Sequence, residues 1–547
     1  MRSFALLAFC WLAWCVTSAV PASAAGRSPA PLYENLGTHH HPITTASPLA
    51  QRYFDQGLIF AFAFNQAAAT RSFLHAARLD PDCAMCYWGA ALALGPTIND
   101  RMTRETEDLA LALLQRASGL LSRVTDAEQA YILALAARYS ADPAAGRHEL
   151  DRLYADTMRT VAQRNPDDPD AAALFAEALM DTTPWRYWLP GGRPGLVTEE
   201  VLATLETVLA RHPTHPQALH LYIHALEHSP HPERAEAAAD RIRTVAPGAG
   251  HLVHMASHIY LRLGRYEDAA AANEAATRAD EAVLADQGGY GRYGDSYYPH
   301  HMDFLWHAAA MAGDGDRAIA AARKAAGRAT PEDLRKSPGL ERVLAVPVLV
   351  LALAQFGRWA EVLKEPAPPE EFTYARGLWH YARGLAFAAR GKPALARRER
   401  DALARRQRLE VPPMRGLSAT KVLLGMAQCV LTAEIEGTRG RIEAMRGNYL
   451  VAIALQDLLP SDEMTPWYQP VRQMFGEALL RGGQPEQAEL VFRDELATHP
   501  KNRWALAGLA RSLDAIGVPD EAAAVRRQSG TVSTHAGEAV PAPFPLP

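Results

Sequence analysis

The chain has 547 residues, 48% of them hydrophobic, with 56 Lys and Arg against 61 Asp and Glu. A formal charge of −5 with no basic stripe argues against nucleic acid as a partner. Past the N-terminus no apolar run approaches the roughly 20 residues needed to span a bilayer, and the length suits several domains or one extended repeat array.

Residues 1–24 read as a cleavable signal peptide: Arg2, an apolar run from Phe4 to Val16, and the small-residue site Ala22-Ser23-Ala24. Trp14 before Cys15 spoils the outline of a lipid-attachment site. The expectation is a periplasmic or secreted protein. Residues 25–48 form an N-terminal segment carrying His39, His40 and His41, read chiefly as an exposed polar run; the competing reading folds it back over a groove as a source of ligands. Cleavage leaves Cys83, Cys86 and Cys429. In an oxidising compartment Cys83 and Cys86 suit a local disulfide or two quiet thiols, and Tyr87 stands where a c-type haem site requires histidine.

From about residue 49 the chain repeats. Gly57, Phe60, Ala69, Phe73, Ala76 and Pro81 set a spacing that returns in Gly476, Leu479, Ala488, Phe492 and Pro500, and again in Ala510, Leu513, Gly517 and Ala522. Small residues let two helices approach, aromatics fill the gap between them, and proline stops the second helix. Gly264-Arg-Tyr266, Gly357-Arg-Trp359, Gly391 and Gly447-Asn-Tyr449 mark turns inside weaker copies, and Pro81, Pro166, Pro213 and Pro247 each precede a new first helix. Thr125 and Glu128 form a capping box. Two insertions, 182–195 with Trp185 and Trp188, and 287–299 with Tyr290, Tyr293, Tyr297 and Tyr298, interrupt the array as long loops. The second reads either as a lid or as aromatics packed on the array edge. The alternating Ala and Pro after Ser529 predict a disordered tail over 529–547.

On these residues the chain resembles tetratricopeptide-repeat (TPR) proteins over most of 49–528, which implies an all-α, TPR-type α-solenoid, a right-handed superhelix of helix–turn–helix units. It divides into an N-terminal array, 49–330, and a C-terminal array, 331–528. In segments such as His251-Leu-Val-His-Met-Ala-Ser-His-Ile-Tyr260 it also resembles a group of exported bacterial proteins of this class with unassigned function. No activity follows from that likeness.

Histidine is the unusual residue. Twelve of the 20 histidines fall between His212 and His307, and His220 and His224 stand 34 residues, one repeat length, before His254 and His258. The family's groove-facing positions 2, 5 and 9 read Asp170, Ala173 and Glu177 in one repeat, then Gln217, His220 and His224. The next two repeats read His251, His254 and His258, then His300, Asp303 and His307. Asp181, Glu227 and His228 adjoin them, while His212, His215 and His231 read as turn residues beside prolines. Histidines at i and i+4 suit a transition metal, and imidazole with carboxylate but no thiolate favours Cu, Zn, Fe or Mn. The candidate metal ligands are His220, His224, His228, His251, His254, His258, His300 and His307. Glu177, Glu227 and Asp303 are the candidate proton-transfer groups. His224-Ala-Leu-Glu227-His228 also matches H-x-x-E-H, the inverted zinc-protease motif, but outside the context that motif requires. Three classes remain: a metalloenzyme, a metal-handling protein, and a non-catalytic scaffold that grips an envelope protein or peptide in its groove.

Overall fold

The computed structural model describes residues 30–286, 292–327, 346–409, 419–459 and 469–531, with 332 and 467. The signal-peptide region and residues 532–547 of the expected tail lie outside them. The fold is an all-α, tetratricopeptide-type array of helix pairs. Among the described residues the only strands are the two-residue pieces Trp188–Leu189 and Arg193–Pro194, which pair antiparallel inside the first insertion. No described helix is long and apolar enough to cross a membrane.

The repeat logic is visible in single contacts. Phe73, in helix Gln66–Leu79, is fully buried. It fills the notch between Gly57 of its own repeat and Gly89 of the next: a methyl at either glycine would come within 2.6 or 2.5 Å of its ring. Phe492 stands likewise against Gly476 and Gly508, at 2.6 and 2.2 Å. Each ring thus staples two repeats where the backbones run too close for any side chain but hydrogen, and burying it contributes about 1.5–3 kcal/mol.

The prolines foretell helix starts. Helices begin at Ala84, Pro169, Pro216 and Gly250, each three residues after Pro81, Pro166, Pro213 and Pro247. The capping box at Thr125 and Glu128 is formed. Gly264, Gly357 and Gly391 hold positive φ at their turns, but Gly447 lies within helix Ile442–Asp457 and the turn falls at Gly440 instead. The second insertion is not a loop from residue 292 onward: helix Arg292–Ala312 runs through Pro299 and carries Tyr293, Tyr297 and Tyr298 as buried residues, while Tyr290 lies outside the described residues. The C-terminal helix Pro519–Thr531 continues three residues into the expected tail.

Two long-range closures shape the site. At the C-terminal end Trp504 Nε1 and Arg503 Nη1 donate to the carbonyls of Ala310 and Ala312 (2.8 and 2.7 Å), and Tyr266 Oη donates to that of Pro500 (3.1 Å). At the other end residues 30–47 lie as a strap across the repeats. Thr44 N and Oγ1 donate to Glu128, Gln51 Nε2 donates to His41 O, and Gly248 N donates to Asn35 O. The expectation of an exposed polar run is therefore corrected. His40 remains open, its side chain 55% exposed, but His39 and His41 fall to 11% against Asp170. Cys83 and Cys86 form a disulfide at the start of helix Ala84–Leu92.

Candidate metal centre

Three helices supply the cluster. Helix Pro216–Leu226 carries His220 and His224, helix Gly250–Arg262 carries His251, His254 and His258, and helix Arg292–Ala312 carries His300 and His301. The one-repeat offset stacks His220 and His224 beside His254 and His258, as the 34-residue spacing anticipates. Donor atoms of His220, His224 and His251 lie within 4.8 Å of one another. So do those of His251, His254 and His301, and those of His254, His258 and His300. Seven imidazoles thus form a continuous row.

That row is not the open wall of a groove. His220, His254 and His301 are fully buried, and His224, His251 and His258 almost so. Two of the three non-glycine residues with positive φ among those described close it over: Phe64 at +54° and Trp185 at +61°. Phe64 occupies the turn position that Gly264 takes in its own repeat and lays its ring 4.6 Å from His220 and 5.5 Å from His251. Trp185, from the first insertion, meets His224 edge-on at 5.4 Å. A left-handed conformation costs a bulky side chain of order 1–3 kcal/mol, and here both instances aim an aromatic ring at the histidines. Tyr297 adds another wall, 4.8 Å from His251.

Each ring's protonation follows from what its Nδ1 faces. His220 Nδ1 faces the Phe62 carbonyl at 2.6 Å. His224 Nδ1 and His258 Nδ1 face the two oxygens of Glu227 at 2.7 and 2.6 Å. His301 Nδ1 faces Asp280 Oδ2 at 2.6 Å. His254 Nδ1 faces Asn273 Oδ1 at 2.6 Å, and the Asn273 orientation is set by its own Nδ2 donating to the Ala269 carbonyl. All five partners only accept, so each Nδ1 carries a proton, and a ring that is neutral presents its lone pair at Nε2. His251 Nδ1 lies 3.2 Å from His301 Nε2, which extends the logic: His251 donates to His301, which donates to Asp280. This pattern of anchored Nδ1 and inward Nε2 is how metal-ligating histidines are oriented.

Electrostatics agree. Burial drives His220, His251, His254 and His300 well below the ordinary histidine range, with neighbouring imidazoles adding to the effect. Burial also lowers His258 against the pull of Glu227. Burial opposes the Glu227 charge, yet His258 and His224 outweigh it and hold the carboxyl well below its usual range. Burial thus favours the neutral form at His220, His251, His254, His258 and His300, the form that metal binding requires.

Several expected residues stand elsewhere. His301 was missed, because the fourth repeat's helix begins at Arg292 rather than after Pro299 and its register is shifted. His228 and His307 belong to none of the close nitrogen groups; their rings lie against Trp185 and Trp306. Glu227 spends both oxygens on rings, and helix Pro216–Leu226 ends before it, so the protease-like motif has no functional geometry. Asp303 accepts from Trp306 Nε1 at 2.6 Å, and burial pushes its carboxyl up to about 6. Glu177 accepts from Gln217 and is raised by burial, beside the buried pair of Arg138 and Asp181.

A second constellation surrounds Asp170. His41 Nδ1 and His215 Nε2 reach its two oxygens at 2.9 and 3.1 Å, and His39 Nε2 lies 3.1 Å away. His215 is thus no loose turn residue: its Nδ1 caps helix Pro216–Leu226 through Ala218 N. With Nδ1 accepting and Nε2–H donating, this ring has no lone pair to offer a metal. The Asp170 cluster clasps the strap, and beside it lies a cavity of about 920 Å³.

No family model matches the chain, and no curated protein matches it. Among solved structures it is similar to the human IFIT1 dimer with m7Gppp-AAAA, at 12% identity over 82% of this chain and 90% of that one, with a TM-score of 0.31. The APC/C hetero-tetramer Cut9–Hcn1 matches at 12% identity over 90% of this chain and 88% of that one, with a TM-score of 0.27. Both likenesses concern helical repeats alone, and the fold statement rests on the chain's own helix pairs.

Proposed function

We propose that the chain binds a transition metal, Cu, Zn, Fe or Mn, in the buried histidine row, for metal handling or metal-dependent catalysis in the periplasm or outside the cell. One observation carries the reading: His254 Nε2 and His258 Nε2 stand 2.9 Å apart. Both Nδ1 atoms are committed to acceptors, so two lone pairs face each other with no proton between them. Protonating either ring would create a buried imidazolium, which desolvation opposes. A cation held by both nitrogens removes the repulsion. The test is metal content of protein purified from the exported fraction, beside a His224→Ala/His258→Ala double variant. The reading predicts near-stoichiometric metal that the variant loses while keeping its helical signal. A wild type that carries none, and takes up none of the four metals when offered, would sink it.

A second reading is a non-catalytic scaffold for an envelope protein or peptide, favoured by the repeat fold itself and by the 920 Å³ cavity beside the strap. The histidine chamber is too enclosed to serve that role, so the two readings place their ligands at different sites.

A further inference from the structure

We infer that Trp185 is a movable plug over a metal-entry port, and that His228 is the port's acquisition ligand, taking a cation from solvent and passing it to the row. The inference rests on the metal reading above and adds to it a route and a further binding residue.

A closed chamber needs an opening. His220, His254 and His301 are fully buried, so a cation that reaches them crosses a wall. Phe64, Tyr293, Tyr297 and Phe304, whose rings meet the row, are buried as well. Trp185 meets His224 yet is 38% exposed, so one edge of its indole faces the row and another faces solvent. The same ring stands edge-on to His228 at 6.0 Å, and His228 is itself partly exposed. His224 and His228 are four residues apart, the spacing at which two imidazoles on one helical face share a metal. With Trp185 against both rings, swinging the indole aside joins the outer histidine to the inner one.

The two sides of the port differ in rigidity. The turn that carries His228 is fixed: Glu227 N donates to the Ile223 carbonyl at 2.8 Å and Ser229 N to that of Leu226 at 2.9 Å. The Arg262 guanidinium clamps the same turn by donating to the carbonyls of Glu227 and Ser229. The segment that carries Trp185 is anchored beyond it, where Trp188 Nε1 donates to the Ala225 carbonyl and Gly195 N to that of Tyr187, both at 2.7 Å. Trp185 itself holds a φ of +61° between exposed Pro184 and Arg186. Backbone strain of this kind collects at ligand clamps and switch segments. Relaxing it re-aims the indole while the anchors on either side of the port stay in place.

The experiment offers Zn, Cu, Fe and Mn ions in turn to the metal-free full-length protein and follows a metal that it retains. Uptake is timed by rapid mixing, and release by transfer to a chromophoric chelator. Trp185→Ala should speed uptake and release alike by about tenfold, equivalent to about 1.4 kcal/mol of barrier, with stoichiometry and Kd unchanged. His228→Ala should slow both by about tenfold, again at unchanged Kd, because a ligand on the route alters rates in each direction equally. If Trp185→Ala fails to fold, the rates of His228→Ala, a change at a partly exposed residue, decide alone. Faster release without faster uptake in Trp185→Ala makes the indole a wall of the site and overturns the inference. Entry beside the partly exposed His300 leaves both variants at wild-type rates, which overturns it too and leaves the metal reading intact. Failure to take up any metal removes both.

Discussion

Glu227→Gln is the sharpest perturbation of the site, because it keeps the shape and changes the hydrogen-bond sense. The carboxylate accepts from His224 Nδ1 at 2.7 Å and from His258 Nδ1 at 2.6 Å. A glutamine amide can accept from only one of them and presents N–H₂ to the other. Two facing donors leave a buried group unsatisfied at a cost of about 1–3 kcal/mol. The ring escapes by moving its proton to Nε2 and accepting at Nδ1. Fold stability is then largely kept, since the buried charge is also gone, but the rotated tautomer withdraws one Nε2 from the ligand set. Losing a carboxylate that orients a ligating histidine typically costs 10–100-fold in metal affinity, equivalent to about 1.4–2.8 kcal/mol. The assay is competition with a chelator of known affinity, run beside urea unfolding of the metal-free protein. An unchanged affinity in a folded Glu227→Gln protein would refute the tautomer argument, and so would a loss of affinity wholly explained by unfolding.

Further outcomes test the packing, the strap and the titration of single groups. Gly447→Ala adds a methyl that meets nothing within 4 Å in mid-helix and should stabilise by about 0.8–1 kcal/mol. Gly508→Ala places its methyl 2.2 Å from the Phe492 ring and should destabilise by about 1–3 kcal/mol despite the same helix propensity; equal midpoints in urea would contradict the staple. The Asp303 carboxyl sits at about 6 in the folded state against an ordinary 3.8, so the folded state binds the extra proton. Its contribution is full below pH about 4 and is lost as pH rises through 6, so Asp303→Asn should exceed the wild type by up to about 3 kcal/mol above pH 7 and converge with it near pH 4. A constant difference across that range would show that titration is not the cause. Asp170→Asn weakens the clasp on His39, His41 and His215, and amide exchange across residues 37–45 should rise about tenfold, or about 1.4 kcal/mol of local opening. Protection unchanged in that segment would show that the strap is held elsewhere.

Much of the fold was legible because a repeat needs only local rules. Gly57 with Phe73, and Gly476 with Phe492, announce close helix pairs, and Pro166 and Pro213 announce the helix starts. The errors fell where local rules had a rival. Gly447 sits at a turn-like spacing, but Gly440 offers the positive φ first. Residues 292–299 read as a loop for their glycines and tyrosines, yet burying Tyr293 and Tyr297 against His251, and Tyr298 against Glu281, outweighs their weak helix propensity.

By itself the sequence determined that histidines recur on one helix face at the repeat period, so that His220, His224, His254 and His258 had to meet once the repeats stacked. Only the tertiary structure decided that the meeting place is closed. Phe64 and Trp185 arrive from far along the chain, one from the turn of the first repeat and one from an insertion, and no histidine periodicity encodes where they land. The choice of His301 over His307, and the engagement of Asp280, Asn273 and the Phe62 carbonyl, were settled in the same way. Hydrogen-bond partners that fix a tautomer are set by distances in space, and those distances exist only after the array has closed.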